Sequence, residues 1–122
     1  MLIDDNELDN IFHEYVLRKS GIAEDVLALE SGEAALAYLE APDSPPVDLI
    51  LVDINMPGMN GFEFIEACQR LARPAKQVII AMLTSSPSVE EVERTVGYGD
   101  VKQYVTKPLS VEMSLDIAER YF

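Results

Sequence analysis

Apolar runs alternate with segments of helical period along this 122-residue sequence, and no other feature limits its fold as strongly. Val47–Asp53 and Gln77–Leu83 are nearly continuous apolar runs, which is typical of strands buried on both faces of a parallel sheet. Shorter runs at Leu2–Ile3, Asp25–Glu30 and Val101–Pro108 predict three more strands. The alternation predicts an α/β fold, a doubly wound five-stranded parallel sheet with helices on both faces.

Five predicted helices fill the intervals between and after these strands. The first extends to Ser20 and carries apolar residues at helical spacing, namely Leu8, Ile11, Phe12, Tyr15 and Val16. The second opens near Ser31, and the third covers Phe62–Leu71. The fourth has two overlapping starts, at Ser86 and Ser88, and Ser110 is the expected N-cap of the last.

The composition is strongly acidic, with 22 Asp and Glu against 9 Lys and Arg and a formal charge of −13. This charge argues against nucleic acid or an anionic membrane as a direct partner and favours cations or basic protein surfaces. The length suits one domain, residues 1–122. Cys68 has no partner for a disulfide, and we find no signal peptide or membrane-spanning run, so we expect a cytoplasmic protein.

Polar side chains follow four of the five predicted strands. Asp4 and Asp5 end the first strand, Asp53 the third, Thr84 the fourth and Lys107 the fifth. Because parallel strands end at the same edge of a sheet, where ligands gather in such folds, we expect these five side chains to lie together.

Three carboxylates in one pocket repel one another, so they stay ionised only beside a divalent cation or an ammonium group. Hard oxygen ligands in small number suit Mg²⁺, which retains waters and leaves room for a phosphoryl oxygen. Lys107 adds a positive charge and Thr84 a hydroxyl donor. The set suits the transfer of a phosphoryl group to a carboxylate, and Asp53 is the best placed to attack.

Four motifs occur in this order: the Asp4–Asp5 pair, DINMPGMNG from Asp53, LTSS around Thr84, and YVTKP ending in Lys107–Pro108. Together they resemble the receiver domain of two-component response regulators, across essentially the whole chain. The resemblance implies a flavodoxin-like sheet with strand order 2-1-3-4-5. It also implies membership of the single-domain class similar to chemotaxis regulators, with no output domain.

Carried over residue by residue, the resemblance implies a role for each position. Asp53 would be the phosphoacceptor, and Mg²⁺ or Mn²⁺ would be held by Asp4, Asp5, Asp53 and the backbone carbonyl of Asn55. Thr84 and Lys107 would contact the phosphoryl group, Tyr104 would be the switch residue that turns inward, and the Lys107–Pro108 bond would be cis.

The resemblance further implies that a phosphohistidine on a histidine kinase or phosphotransfer protein is the donor. The surface formed by the fourth helix, fifth strand and fifth helix, roughly Ser88 to Phe122, would then bind a downstream protein or a second copy. The chain would accept and lose its phosphoryl group without being a turnover enzyme.

Three other functions are open on the sequence. A haloacid-dehalogenase-type phosphatase also uses a strand-end aspartate but needs another aspartate two positions later, where this chain has Asn55. A receiver that only binds partners is disfavoured by the intact set of site residues. A nucleotide-binding flavodoxin-like protein is disfavoured because no glycine-rich loop follows the first strand. We interpret the single histidine, His13, as solvent-facing and not as a phosphoryl carrier.

Overall fold

A computed structural model describes residues 1–71, 79–85, 88–99 and 101–122 of the protein. Strands and helices alternate throughout these ranges. In chain order they are β1 (Leu2–Ile3), α1 (Glu7–Ser20), β2 (Ala28–Leu29), α2 (Gly32–Glu40), β3 (Leu49–Asp53), α3 (Gly61–Gln69), β4 (Ile79–Thr84), α4 (Val89–Val96), β5 (Val101–Thr106) and α5 (Val111–Tyr121). Within the described ranges, no helix combines the length and the apolar character that crossing a membrane requires.

The strands form one parallel sheet in the order β2-β1-β3-β4-β5, so the predicted fold class and strand order are confirmed. The register aligns the carboxyl ends of the central strands, with Ile3 opposite Val52 and Asp53 opposite Leu83. Residues that follow directly after these positions therefore share one edge of the sheet.

The second strand is shorter than the sequence predicts, and the structure shows which of the two predicted starts begins the fourth helix. The second strand is only Ala28–Leu29 instead of Asp25–Glu30, because it is an edge strand whose one partner, β1, is itself two residues long. Helix α4 uses the second of the two predicted starts, with Ser88 as its N-cap. The alternative start at Ser86 and the predicted beginning of the fourth strand at Gln77 lie outside the described residues.

The core is divided into two apolar clusters by the sheet. Neighbouring residues on β3 alternate between them: Ile50 and Val52 belong to the cluster that contains Phe64 of α3, and Leu51 belongs to the one that contains Ile117 of α5. Both faces of the sheet are therefore covered, which explains why β3 reads as a continuous apolar run.

Helix α1 is turned differently from what its apolar spacing suggests. Its buried residues are Asn10, His13, Val16 and Leu17, whereas Leu8, Ile11, Phe12 and Tyr15 are exposed. The interpretation of His13 as solvent-facing is therefore wrong, since the residue is only 2% exposed. The Asn10 amide donates to the backbone carbonyl of Asp4 at 2.9 Å, and this bond helps to fix which face of α1 meets the sheet.

Gly61 marks a very close approach between α3 and the end of β3. A Cβ at this position would lie 2.6 Å from the carbonyl oxygen of Asp53 and 2.9 Å from the Cα of Ile54. Both atoms belong to the backbone, so a side chain larger than hydrogen would push α3 away from the strand that ends in Asp53.

We predict that Gly61→Ala lowers the free energy of unfolding by about 1–3 kcal/mol, the usual cost of overpacking. Urea denaturation measures the change. The matched control is Gly99→Ala, because a Cβ on Gly99 would meet no atom within 4 Å. Equal stability of the two variants would contradict the claim that α3 packs against the end of β3.

Candidate functional site

Lys107 lies at the centre of the carboxylates that gather at the carboxyl edge of the sheet. Its Nζ is 2.6 Å from Asp4 Oδ2, 2.9 Å from Asp9 Oδ2 and 3.5 Å from Asp53 Oδ1. The sequence predicted that Lys107 would lie at the same edge as Asp4, Asp5 and Asp53, and the structure adds Asp9 to its neighbours. One ammonium group therefore serves three carboxylates, and the distance to Asp53 is the longest.

Asp4 is held in place by bonds to both of its carboxylate oxygens. The backbone N–H of Asn6 donates to Oδ1 at 3.0 Å, and Lys107 donates to Oδ2. Asn6 in turn caps α1, since its side chain accepts from the N–H groups of the second and third helical residues. Asp4 is only 1% exposed, and burying its charge is tolerable because each oxygen has a partner.

Asp53 ends β3 and is only 5% exposed. The pKa of Asp53 is raised to about 6, chiefly by burial and also by the negative charge of Asp4. The Lys107 charge and a hydrogen bond from the backbone of Asn55 act in the opposite direction without cancelling this effect. The Asp53 carboxylate is also farther from the Lys107 ammonium than the Asp4 carboxylate is, at 3.5 Å against 2.6 Å.

Lys107 is positioned by the backbone as well as by its ion pairs. Its N–H donates to the carbonyl of Thr84 at 2.7 Å, and the Lys107–Pro108 bond is cis, as the resemblance implies. Burial alone would lower the pKa of Lys107, but its hydrogen bonds to Asp4 and Asp9 outweigh burial and raise the pKa above its ordinary value. The ammonium group stays protonated throughout the physiological range.

The structure brings together three of the predicted metal ligands. One carboxylate oxygen each from Asp4, Asp5 and Asp53 can be chosen so that all lie within 4.8 Å of one another. Asp5 is exposed, so this group opens to solvent on one side. Asn55, the fourth predicted ligand, is exposed, and its backbone contributes a hydrogen bond to Asp53.

Thr84 and Tyr104, which were predicted to act together, both bond to Glu91 of α4. The Thr84 hydroxyl donates to Glu91 Oε2 at 3.3 Å, and the Tyr104 hydroxyl donates to the same oxygen at 3.2 Å. Burial and the Glu91 carboxylate raise the pKa of Tyr104. In this state the two hydroxyls are joined to α4 through a single carboxylate oxygen.

Sequence reasoning missed both Asp9 and Glu91. Asp9 lies in the first turn of α1 and Glu91 in the first turn of α4, where acidic residues are common because they favour the helix dipole. No sequence pattern separates that ordinary role from a contact with a distant lysine or tyrosine. The buried His13 was also missed; burial and the charge of Lys107 lower its pKa.

We predict that Asp53→Asn stabilises the metal-free protein at pH 7.5 by about 1–3 kcal/mol. The pKa of Asp53 in the folded state, about 6, exceeds the ordinary 3.8, so ionisation costs stability above pH 6. The cost shrinks as the pH falls through 6 and is gone below about pH 4.

Urea denaturation at several pH values measures this difference. Asp43→Asn, a change in an exposed loop residue, is the control and should have little effect. A gain from Asp53→Asn that stayed constant from pH 7.5 to pH 4 would contradict the assignment of the raised pKa to Asp53.

Comparison with known proteins identifies a family that has this fold and these strand-end residues. Residues 1–119 match the family "Response regulator receiver domain". The two-component response regulator ORR1 of Oryza sativa is 27% identical over 114 residues, which are 89% of this chain and 48% of ORR1. The chain therefore spans about half the length of this relative. Response regulator Rcp1 of Synechocystis sp. is 30% identical over 96 residues, which are 75% of this chain and 65% of Rcp1.

Solved structures agree over nearly the full chain. A two-component response regulator from Cytophaga hutchinsonii superposes with a TM-score of 0.88 at 29% identity, covering 98% of this chain and 92% of that one. The Mn²⁺-bound form of Rcp1 has a TM-score of 0.78 at 28% identity, covering 98% and 91%. With its sheet order, its strand-end residues and the match over residues 1–119, the chain belongs to the response regulator receiver domains.

Proposed function

We propose that this receiver domain accepts a phosphoryl group on Asp53 from a phosphohistidine of a histidine kinase or phosphotransfer protein. The observation that supports this most is the position of Asp53, buried at the end of β3 with the Lys107 ammonium 3.5 Å away. A carboxylate that is poorly compensated, yet faces a fixed positive charge, combines a nucleophile with a group that stabilises the transferred negative charge.

The transfer joins a carboxylate oxygen of Asp53 to phosphorus while the phosphorus–nitrogen bond of the phosphohistidine breaks. The electron pair of that bond stays on the imidazole nitrogen, which then takes a proton from solvent. Negative charge spreads over the phosphoryl oxygens during this step, so the chain contributes mainly position and charge. Lys107 pairs with one of these oxygens, and Thr84 donates its hydroxyl to another.

A divalent cation, Mg²⁺ or Mn²⁺, fits the same residues. The oxygens of Asp4, Asp5 and Asp53 lie close enough to share one ion, and their mutual repulsion favours its binding. The Mn²⁺-bound form of Rcp1 is a relative with such an ion. When bound, the cation supplies positive charge that neutralises the phosphoryl oxygens. Asn55 would add its backbone carbonyl.

Thr84 and Tyr104 would carry the change to the surface. Both hydroxyls now share Glu91 of α4. When Thr84 turns to the phosphoryl group, Glu91 loses one of its two donors, and Tyr104 would then exchange its own bond to Glu91 for an inward position. This shift alters the surface of α4, β5 and α5, where a downstream protein or a second copy would bind.

We expect a Mg²⁺-dependent gain of one phosphoryl group when the wild type is incubated with a small acyl-phosphate donor. Intact-protein mass spectrometry detects the adduct directly. Asp53→Asn should gain none, because the amide is not a nucleophile of this kind. The matched control is Asp48→Asn, which alters an exposed aspartate just before the same strand and should behave as the wild type.

Two outcomes would contradict this function. An unmodified wild type under all conditions would favour a receiver that only binds partners. Continuous release of phosphate from a simple ester over many turnovers, dependent on Asp53, would favour a phosphatase instead.

We further expect Mg²⁺ to stabilise the folded protein by mass action, by about 1.4 kcal/mol at tenfold excess over its dissociation constant. This corresponds to a rise in the melting temperature of roughly 3–8 °C. Asp5→Asn should reduce the rise, and because Asp5 is exposed, the variant should otherwise fold normally. NaCl at matched ionic strength is the control. A melting temperature independent of Mg²⁺, or an equal rise in Asp5→Asn, would refute the proposed ligand set.

A further inference from the structure

Asp9 contacts the central lysine from a helix that carries none of the predicted site residues. Its Oδ2 accepts a hydrogen bond from Lys107 Nζ at 2.9 Å, while its side chain is 39% exposed against 11% for that of Lys107. Asp9 is thus anchored at the pocket by one contact and remains open to solvent on its other side.

The ordinary role of an acidic residue at this helix position does not account for the contact. In a capping box the third helical residue would accept from the N-cap N–H, but here the N–H of Asn6 donates to Asp4 instead. The Asn6 side chain caps the first turn. The Asp9 carboxylate therefore takes no part in capping and is directed to Lys107.

The donor groups of Lys107 are divided unequally. Of its contacts with carboxylates, those with Asp4 and Asp9 are hydrogen bonds at 2.6 and 2.9 Å, and Asp53 is the most distant at 3.5 Å. An ammonium group has three N–H donors, so two are directed away from the proposed phosphoacceptor.

Phosphorylation of Asp53 would increase the negative charge next to the Lys107 ammonium group. Asp53 would exchange one negative charge for close to two, with three strong acceptor oxygens. Lys107 must then move toward those oxygens and give up part of its present bonding. Asp4 is buried and depends on Lys107, whereas Asp9 is half-exposed, so water can replace the lysine there. The Asp9 contact is the one that can open.

We propose that Asp9 is a positioning residue that competes with Asp53 for Lys107 and so slows phosphorylation of the acceptor. This inference rests on the proposed function. As long as Asp9 holds the ammonium, Lys107 is drawn away from the place where charge develops. Removing the Asp9 charge leaves the Lys107 ammonium free to approach Asp53.

The first test compares initial rates of phosphorylation by an acyl-phosphate donor with Mg²⁺, measured by intact-protein mass spectrometry. Asp9→Asn should be faster by about 1.5- to 5-fold, the range expected for one partly exposed ion pair. Asp9→Glu, which keeps the charge, should return toward the wild-type rate. An unchanged or slower Asp9→Asn would overturn the inference.

Glu14→Gln is the matched control, because it removes one carboxylate from the same helix and breaks a similar ion pair, with Arg18 at 3.1 Å. Its rate should equal that of the wild type. An equal acceleration in Glu14→Gln would assign the effect to the total charge of the protein and overturn a specific role for Asp9.

A double-mutant cycle separates competition for Lys107 from simple repulsion of the donor. In a Lys107→Met background, Asp9→Asn should have no further effect on the rate. If it accelerates the reaction equally there, Asp9 acts by repulsion, and the positioning role is overturned. The same cycle, followed by urea unfolding without any donor, should show coupling between the two residues, and independent effects would overturn the contact itself.

These outcomes also separate this inference from the proposed function. A wild type that gains no phosphoryl group overturns both. A wild type that is phosphorylated at the same rate as Asp9→Asn overturns only the role of Asp9.

Discussion

The ion pair between Asp4 and Lys107 links the residue after β1 to the residue after β5, the first and last strands in chain order. The arrangement of the other site residues depends on this ion pair. Burying two charges is costly unless they are well paired and hydrogen-bonded. Here both oxygens of Asp4 have partners, and the lysine is anchored through its backbone to Thr84. With these two side chains fixed, Asp53 on the strand between them meets the ammonium group at 3.5 Å.

Negative charge exceeds positive charge at this edge of the sheet, as it does in the protein as a whole. Lys107 pairs with Asp4, Asp9 and Asp53, and Asp5 adds a fourth carboxylate close to Asp4 and Asp53, so one positive charge faces several negative ones. Of the three aspartates that pair with Lys107, Asp53 is the farthest from the ammonium group. Its pKa is raised to about 6, chiefly by burial. An excess of negative charge favours the binding of a cation, and the proposed Mg²⁺ or Mn²⁺ would in turn offset the negative charge of a phosphoryl group. The same imbalance that costs stability therefore prepares the proposed chemistry.

The sequence predicts the strand ends well because the signal there is simple: an apolar run gives way to a polar side chain, and parallel topology brings the ends together. Asp53 and Lys107 were found in this way. The facing of α1 was not predictable, since both its sides carry apolar residues and its rotation depends on bonds made by Asn10 and Asp9. The contacts of Glu91 were missed for a similar reason, because Glu91 lies on α4 and its partners, Thr84 and Tyr104, lie on β4 and β5.

The distance in sequence between Asp4 and Lys107 has a consequence for the protein's synthesis. Strand β3 leaves the ribosome well before β5, so for a time Asp53 exists without Lys107. Because domains generally fold as units, the carboxylates meet their counter-charge only once the last strand has joined the sheet. A partly made chain can thus display every acidic residue of the site without Lys107, so the site is complete only when the last quarter of the chain has been made.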